Sequence, residues 1–215
     1  MSDLLMAQWR DLIDQPLTFV RAQALVECFE RPVSPEQLAA LRGSRRFDER
    51  IERRLAEHFR LQPLNRLPVP DAADLTVLLL PDVDLSRLPK LCGAVWHAAT
   101  LSREIRSEVV NEYREALGMD TLNLALRLRH LAGAADLLRT PAALLQAIDR
   151  DGSACMGAWF AAQPEALRDW LKLRLDPALQ AGIHDERQVL VVRSVAGEIA
   201  AAGQATLEQG SLRDE

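Results

Sequence analysis

Apolar residues recur along this chain at the three- and four-residue spacing of amphipathic helices. The clearest run is Phe47, Ile51, Leu55 and Phe59, which recur every four positions and predict one helix. Proline and glycine interrupt the pattern elsewhere, so the chain is expected to form many short helices. The further helices predicted in this way cover residues 3–14, 17–30, 34–43, 84–99, 100–117, 120–131, 140–150 and 185–202.

Two apolar segments leave the choice between helix and strand open. Residues 75–80 and 189–192 are rich in leucine and valine but show little periodicity. Leucine and alanine dominate the other apolar positions, which favours helix. The predicted fold class is therefore mainly α, an irregular multi-helix bundle of short helices with room for one minor strand pair.

The stretch from Ser153 to Leu175 predicts a helical corner that carries two of the four tryptophans. Pro164 ends one helix and suits the first position of the next, because it lacks an N–H and fixes its own φ angle. The second helix places Trp170 and the stem of Arg174 on one face. No nucleophile–base pair occurs here, so the corner is expected to pack or to dock, with Trp159 in the core and Trp170 at least partly buried.

Three prolines within residues 63–70 predict a break in regular structure. The domains predicted from this break are a helical N-terminal subdomain at 1–62, a proline-rich linker at 63–70, a main helical domain at 71–203 and a flexible tail at 204–215.

The sequence lacks the motifs of the common catalytic and metal sites. The four histidines show neither H-E-x-x-H nor histidine–cysteine spacing, and no G-x-S-x-G motif or phosphate-binding glycine loop occurs. Asp149–Gly152 is similar to part of a calcium loop, but Phe160 stands where such a loop needs glutamate, so a turn between two helices is predicted there. We therefore expect no enzyme activity, no cofactor, no metal and no small-molecule substrate.

Charge and cysteine content narrow the class of protein. The net charge is −5; residues 1–70 carry 11 basic and 10 acidic side chains, whereas residues 71–215 carry 15 and 21. A negative chain of this kind is not expected to bind nucleic acid in general. Three well-separated cysteines indicate reduced thiols, and no signal peptide or apolar run of about 20 residues occurs. These features predict an intracellular protein that does not insert directly into a membrane.

The basic segment Arg42–Arg54 leaves three interpretations open. With the capping box that begins at Ser34, residues 34–59 are similar to a helix-turn-helix of a DNA-binding regulator. Glu49 and Glu52 lie near the start of the helix that would enter the groove, where they would repel phosphate. The segment is otherwise a solvated helix face or a docking surface for a protein. The candidate docking residues are Arg45, Arg46, Arg50, Arg53, Arg54, Trp170 and Arg174.

Several segments resemble one protein family. Gly157–Pro164, followed by Trp170–Leu175, resembles the C-terminal part of the type III secretion sorting-platform proteins of the SctK (YscK-like) family. Leu91–His97, which continues into Arg103–Arg106, is similar to the middle of that family, where a glycine and a histidine precede an arginine-bearing helix. The run at 75–80 also fits, so the resemblance covers about residues 71–180, and the first 70 residues match only in general layout.

The resemblance implies a mostly helical, non-enzymatic adaptor in the cytoplasm, held at the cytoplasmic face of the inner membrane through its protein partners. In that family the adaptor links the cytoplasmic domain of an inner-membrane ring protein to the pod protein of the sorting platform. The family supplies no catalytic residues to transfer to this sequence. The alternative function is a DNA-binding regulator that uses residues 34–59.

Overall fold

The computed structural model describes residues 2–29, 33–42, 45–134 and 140–211. These residues form twelve α-helices and contain no strand, which confirms the predicted mainly α fold class. The helices are α1 (Ser2–Asp14), α2 (Ala22–Glu27), α3 (Pro35–Arg42), α4 (Asp48–Phe59), α5 (Ala72–Leu78), α6 (Asp82–Trp96), α7 (Ala98–Leu101), α8 (Ser107–Leu117), α9 (Met119–Arg127), α10 (Pro141–Ala162), α11 (Glu165–Lys172) and α12 (Glu186–Ser211). Five short 3₁₀ turns lie between them within the same ranges.

Most of both segments that the sequence left open between helix and strand is helical. Residues 75–78 lie in α5, and the Asp71 carboxylate accepts a backbone N–H of its first turn at 2.8 Å. Residues 189–192 lie in α12, and the Asp185 carboxylate accepts two N–H groups of its first turn at 2.9 and 3.0 Å. These caps stabilise the helices, and they outweigh the preference of valine for strands.

The chain divides into two compact units. The first consists of Met1–Pro70 and Gln163–Pro177, and the second of Asp71–Ala162 and Ala178–Glu215. The predicted domains placed residues 163–177 in the main domain, whereas the structure joins them to the N-terminal residues. Helix α12 continues through residues 204–211, where we predicted a flexible tail.

In the first unit, each helix contributes apolar side chains to a common core. They are Trp9, Leu12, Leu25, Leu38, Ile51, Leu55, Leu167, Trp170 and Leu171. The capping box predicted for α3 is present, since the N–H of Gln37 donates to Ser34 Oγ at 3.2 Å and the N–H of Ser34 donates to Gln37 Oε1 at 2.9 Å. The end of this helix that we predicted at Gly43 lies outside the described residues.

The single helix predicted over residues 17–30 is wrong. The chain forms a 3₁₀ turn at Pro16–Phe19, becomes extended at Val20 and only then enters α2. The extended residue lets the N–H of Arg21 bind the carbonyl oxygen of Leu173 at 3.0 Å. A tertiary bond of this kind leaves no trace in the local apolar pattern, so periodicity could not predict the break.

In the second unit, α6 and α10 cross at backbone contact. A Cβ atom on Gly93 would collide with the carbonyl oxygen of Ile148, and one on Gly152 would collide with that of Pro89. We predicted a turn at 149–152, and this is wrong because α10 runs unbroken through it. Gly152 serves the close crossing of two helices instead of a turn.

The predicted helix over residues 100–117 begins later than expected, at Ser107. The Glu104 carboxylate accepts the backbone N–H of Arg106 at 2.9 Å and its guanidinium at 2.6 and 2.9 Å. A side-chain acceptor that takes a backbone N–H competes with the helix and holds residues 102–106 as a loop. Ile105, which we predicted on the apolar face, is 90% exposed in this loop.

Candidate functional site

The predicted docking residues all lie in the first unit, and α4 carries most of them. Ile51 and Leu55 are buried on one face of α4, and this orientation turns Arg50 and Arg53 to the opposite face. Arg46 precedes the helix in a 3₁₀ turn and is exposed as well. We call Arg46, Arg50 and Arg53 the arginine row.

The arginine row makes no ion pair or hydrogen bond with the part of the chain that the structure describes. All three residues are exposed, so their guanidinium groups can reach a partner. Arg45 belongs to the same 3₁₀ turn, and its side chain lies outside what the structure describes.

Arg54 differs from the row because it is half-buried. Its Nε donates to the carbonyl oxygen of Cys28 at 2.9 Å, and its guanidinium carbon lies 5.8 Å from the centre of the Phe29 ring. A shallow groove beside it is lined by Glu27, Cys28, Phe29, Arg54, Glu57 and His58. Arg54 joins α4 to the end of α2 and supports the fold of the first unit.

Trp170 and Arg174 are also used inside the first unit. The Trp170 ring is 4% exposed, and its Nε1 donates to the carbonyl oxygen of Gln62 at 2.7 Å. The guanidinium carbon of Arg174 lies 4.6 Å from the centre of the Phe19 ring. These contacts attach residues 163–177 to the N-terminal residues, so Trp170 lies in the core and not on a surface open to a partner.

Carboxylates collect at the start of α4. Asp48 and Glu49 stand in its first turn, and Glu52 follows one turn later. Burial raises the pKa of Glu52, and the nearby carboxylates of Asp48 and Glu49 raise it further. This negative potential lies where a recognition helix would meet DNA phosphates, which disfavours the helix-turn-helix interpretation.

The second unit contains a buried ionic cluster that no sequence motif predicts. Asp74 is 7% exposed and accepts Trp159 Nε1 at 2.9 Å, Arg193 Nε at 2.8 Å and Arg193 Nη2 at 2.6 Å. These bonds hold α5, α10 and α12 together. The one local hint is an aspartate on the apolar side of a short helix, because a buried carboxylate requires partners.

A second polar pair joins α6 to α10. His97 is fully buried, and its Nε2 lies 2.7 Å from Asp151 Oδ2. Arg150 also donates to the Asp151 carboxylate, at 2.6 and 3.0 Å. The other ring nitrogen, Nδ1, is buried and has no hydrogen-bond partner among the described residues.

The two cysteines of the second unit are buried, and metal-ligating side chains are dispersed. Within the described ranges, no three histidine, cysteine, aspartate or glutamate side chains are arranged to hold a metal ion. Cys92 and Cys155 are buried, and burial raises the pKa of each thiol, to about 12 for Cys155, so both thiols stay protonated and unreactive at neutral pH.

Comparison with known proteins gives two relatives, both named nodulation protein NolU. The protein from Sinorhizobium fredii is 32% identical over 182 residues, which cover 76% of this chain and 84% of the relative. The chain belongs to the NolU family. The protein from Rhizobium fredii is 37% identical over 99 residues, which cover 45% of this chain and 46% of the relative. No family model and no solved structure matches the chain.

The comparisons thus name the NolU family and not the SctK family of the resemblance. Within the described ranges of this NolU-family chain, no helix has both the length and the apolar character that spanning a bilayer requires.

Proposed function

We propose that this NolU-family protein is a non-enzymatic adaptor of a bacterial type III secretion sorting platform. It would act in the cytoplasm and link the cytoplasmic domain of the inner-membrane ring protein to the pod protein. The relatives bear the name nodulation protein, so the proposal connects a nodulation protein with a secretion machine.

The observation that carries the proposal is where two of the resembling segments, Leu91–His97 and the residues that follow Gly157, lie in the fold. Residues 91–96 belong to α6 and residues 157–162 to α10, and these two helices pack against each other in the second unit. The resembling residues are largely buried: Leu91, Cys92, Ala94, Val95, His97, Ala158, Trp159 and Phe160. Residues buried at one helix crossing are constrained by packing, so a resemblance there supports a shared fold.

The partners then have to bind elsewhere, on surfaces that packing does not constrain. The second unit uses its buried polar groups internally, through Asp74 and through the His97–Asp151 pair. The first unit presents the arginine row to solvent. A protein with a closed interior and an exposed charged face suits a linking role better than a catalytic one.

A three-component binding experiment tests the linking role. The tagged cytoplasmic domain of the ring protein is immobilised, and the pod protein of the same bacterium is added with or without the full-length chain. We expect the pod protein to be retained only when the chain is present. Retention of neither partner by the chain at low salt would overturn the proposal, and equal retention of the pod protein without the chain would overturn the linking role.

The DNA-binding alternative makes the opposite prediction. Its phosphate contacts would be strongest at low salt, so a shift of a duplex DNA probe at about 50 mM salt that weakens steeply by 200 mM would support it. We expect no such shift, because Asp48 and Glu49 occupy the first turn of α4.

A further inference from the structure

The arginine row has no carboxylate partner among the described residues, in contrast to several arginines of the second unit. In the second unit, five arginines are paired within the chain: Arg87 with Asp84, Arg106 with Glu104, Arg127 with Glu198, Arg150 with Asp151 and Arg193 with Asp74. In the first unit, Glu49 and Glu57 lie four residues before and after Arg53, at the spacing of helical ion pairs. Neither glutamate bonds to Arg53.

We propose that the arginine row binds an acidic helical segment of a platform protein. This inference rests on the proposed adaptor function and names the chemistry of one of its partners. Arg50 and Arg53 are three residues apart and lie on one side of α4, and Arg46 lies in the 3₁₀ turn just before the helix. A partner helix with carboxylates three or four residues apart can meet Arg50 and Arg53 each with a bidentate pair.

The pattern of charge on α4 favours a protein over a polymer of phosphates or a lipid surface. Glu49 and Glu57 are both exposed and alternate with the arginines along the helix. A nucleic acid or an anionic membrane presents negative charge continuously and is repelled at each glutamate. A protein segment can place a lysine or arginine opposite each glutamate, so it can match both signs.

The test compares two variants of the full-length chain that lose the same charge. The row variant is Arg50→Gln with Arg53→Gln, and the matched control is Arg10→Gln with Arg66→Gln, two exposed arginines of the same unit. Binding to the purified pod protein and to the ring protein's cytoplasmic domain is measured at 50 and 500 mM salt. For one of the two partners, we expect the row variant to bind about tenfold more weakly than the wild type at low salt, and the control to bind like the wild type.

The outcomes distinguish failure of the row inference from failure of the proposed adaptor function. If the wild type binds and the row variant binds equally well, the row inference is overturned and the adaptor function stands. The row inference is also overturned if the two variants weaken alike, because the effect is then one of net charge. If the wild type binds neither protein, the adaptor function falls and the inference with it. Binding of duplex DNA or of phosphatidylserine vesicles that depends on the row would identify a polyanion site and overturn the choice of partner.

A lysine variant distinguishes bidentate hydrogen bonding by the guanidinium group from attraction to its positive charge alone. Arg50→Lys with Arg53→Lys keeps both positive charges but loses the planar pair of donors. We expect the affinity of this variant for the partner to lie between the affinities of the row variant and the wild type. Full binding by the lysine variant would overturn the bidentate geometry.

Discussion

In the second unit, interior polar side chains pair with one another, whereas in the first unit they bind backbone carbonyls. Asp74 accepts hydrogen bonds from Trp159 and Arg193, while Trp170 and Arg54 donate to the carbonyl oxygens of Gln62 and Cys28. An ion pair between helices depends on two side chains, whereas a hydrogen bond to a backbone carbonyl depends on only one side chain, the donor. Changes at buried positions should therefore lower stability in both units, whereas exposed changes on α4 should alter binding alone.

Loss of a buried tryptophan should give the largest effect in either unit. We expect Trp159→Ala and Trp170→Ala each to lower the free energy of unfolding of the full chain by about 4 kcal/mol, since both rings are buried and both N–H groups are bonded. Urea denaturation measures this change. Phenylalanine variants serve as controls and should lose less, because most of the ring volume stays. A loss below about 1 kcal/mol at Trp170 would contradict its place in the core.

The crossing of α6 and α10 should respond next most strongly. Gly152→Ala places a methyl group against the carbonyl oxygen of Pro89, and backbone atoms cannot rotate away, so the helices must separate. We expect a loss of about 3 kcal/mol in the free energy of unfolding. The matched control is Gly197→Ala in α12, where a Cβ atom meets nothing within 4 Å. That change should stabilise the protein by about 0.5–1 kcal/mol, and equal losses in the two variants would contradict the close crossing.

Removal of the central carboxylate tests whether the second unit depends on its internal ion pair. Asp74→Ala leaves Arg193 and the Trp159 N–H without this acceptor, and we expect a loss of about 2 kcal/mol because Arg193 stays partly solvated. Asp71→Ser is the control, since it keeps a capping oxygen for α5 and removes only the longer 3.2 Å bond to Arg193. A thermal or urea midpoint that falls equally in both variants would contradict a central role for Asp74.

Acid should weaken the second unit through Asp151. Burial pushes the pKa of this carboxyl upward, but hydrogen bonds from Arg150 and His97 outweigh burial and leave the pKa below its ordinary value of 3.8. Because the folded pKa is the lower one, the stabilisation is present above about pH 4 and is lost as the pH falls through the folded value. Asp151→Asn should cost about 1 kcal/mol at pH 7 and flatten the acid limb of the stability curve. Asp149→Asn, at an exposed neighbour, is the matched control, and parallel curves for the two variants would exclude Asp151 as the source of the acid limb.

Local patterns predicted most helices because their causes are local. The four-residue repeat from Phe47 to Phe59 and the capping box at Ser34 both act within one helix, and both are present. The turn predicted at Gly152 is wrong because this glycine is required by a second helix more than 60 residues earlier in the chain, around Pro89. The pairing of Asp74 with Arg193 spans 119 residues, and no spacing rule reaches that far.

The residues of the candidate site also fall into those that local spacing predicts and those that it does not. The buried positions Ile51 and Leu55 fix which side of α4 faces outward, so the exposure of Arg50 and Arg53 follows from sequence alone. The fate of Trp170 does not, because its partner is the carbonyl oxygen of Gln62, more than 100 residues away. Helical spacing predicts which charged side chains are exposed, but it does not predict the contacts that a side chain makes with distant parts of the chain.

The smallest effect is expected where sequence and structure disagree most sharply. The apolar spacing placed Ile105 and Val109 on one buried face, but the Glu104–Arg106 pair holds Ile105 in an exposed loop, while Val109 is buried in α8. Ile105→Ala should therefore change the free energy of unfolding by less than about 0.5 kcal/mol, and Val109→Ala should lower it by about 1.5 kcal/mol. Equal losses of stability in the two variants would mean that Ile105 is buried as Val109 is, as the longer predicted helix requires. Glu104→Gln weakens the pair that keeps Ile105 out of that helix, so a rise in helical circular dichroism in this variant would show that the pair, and not the apolar pattern, sets where α8 begins.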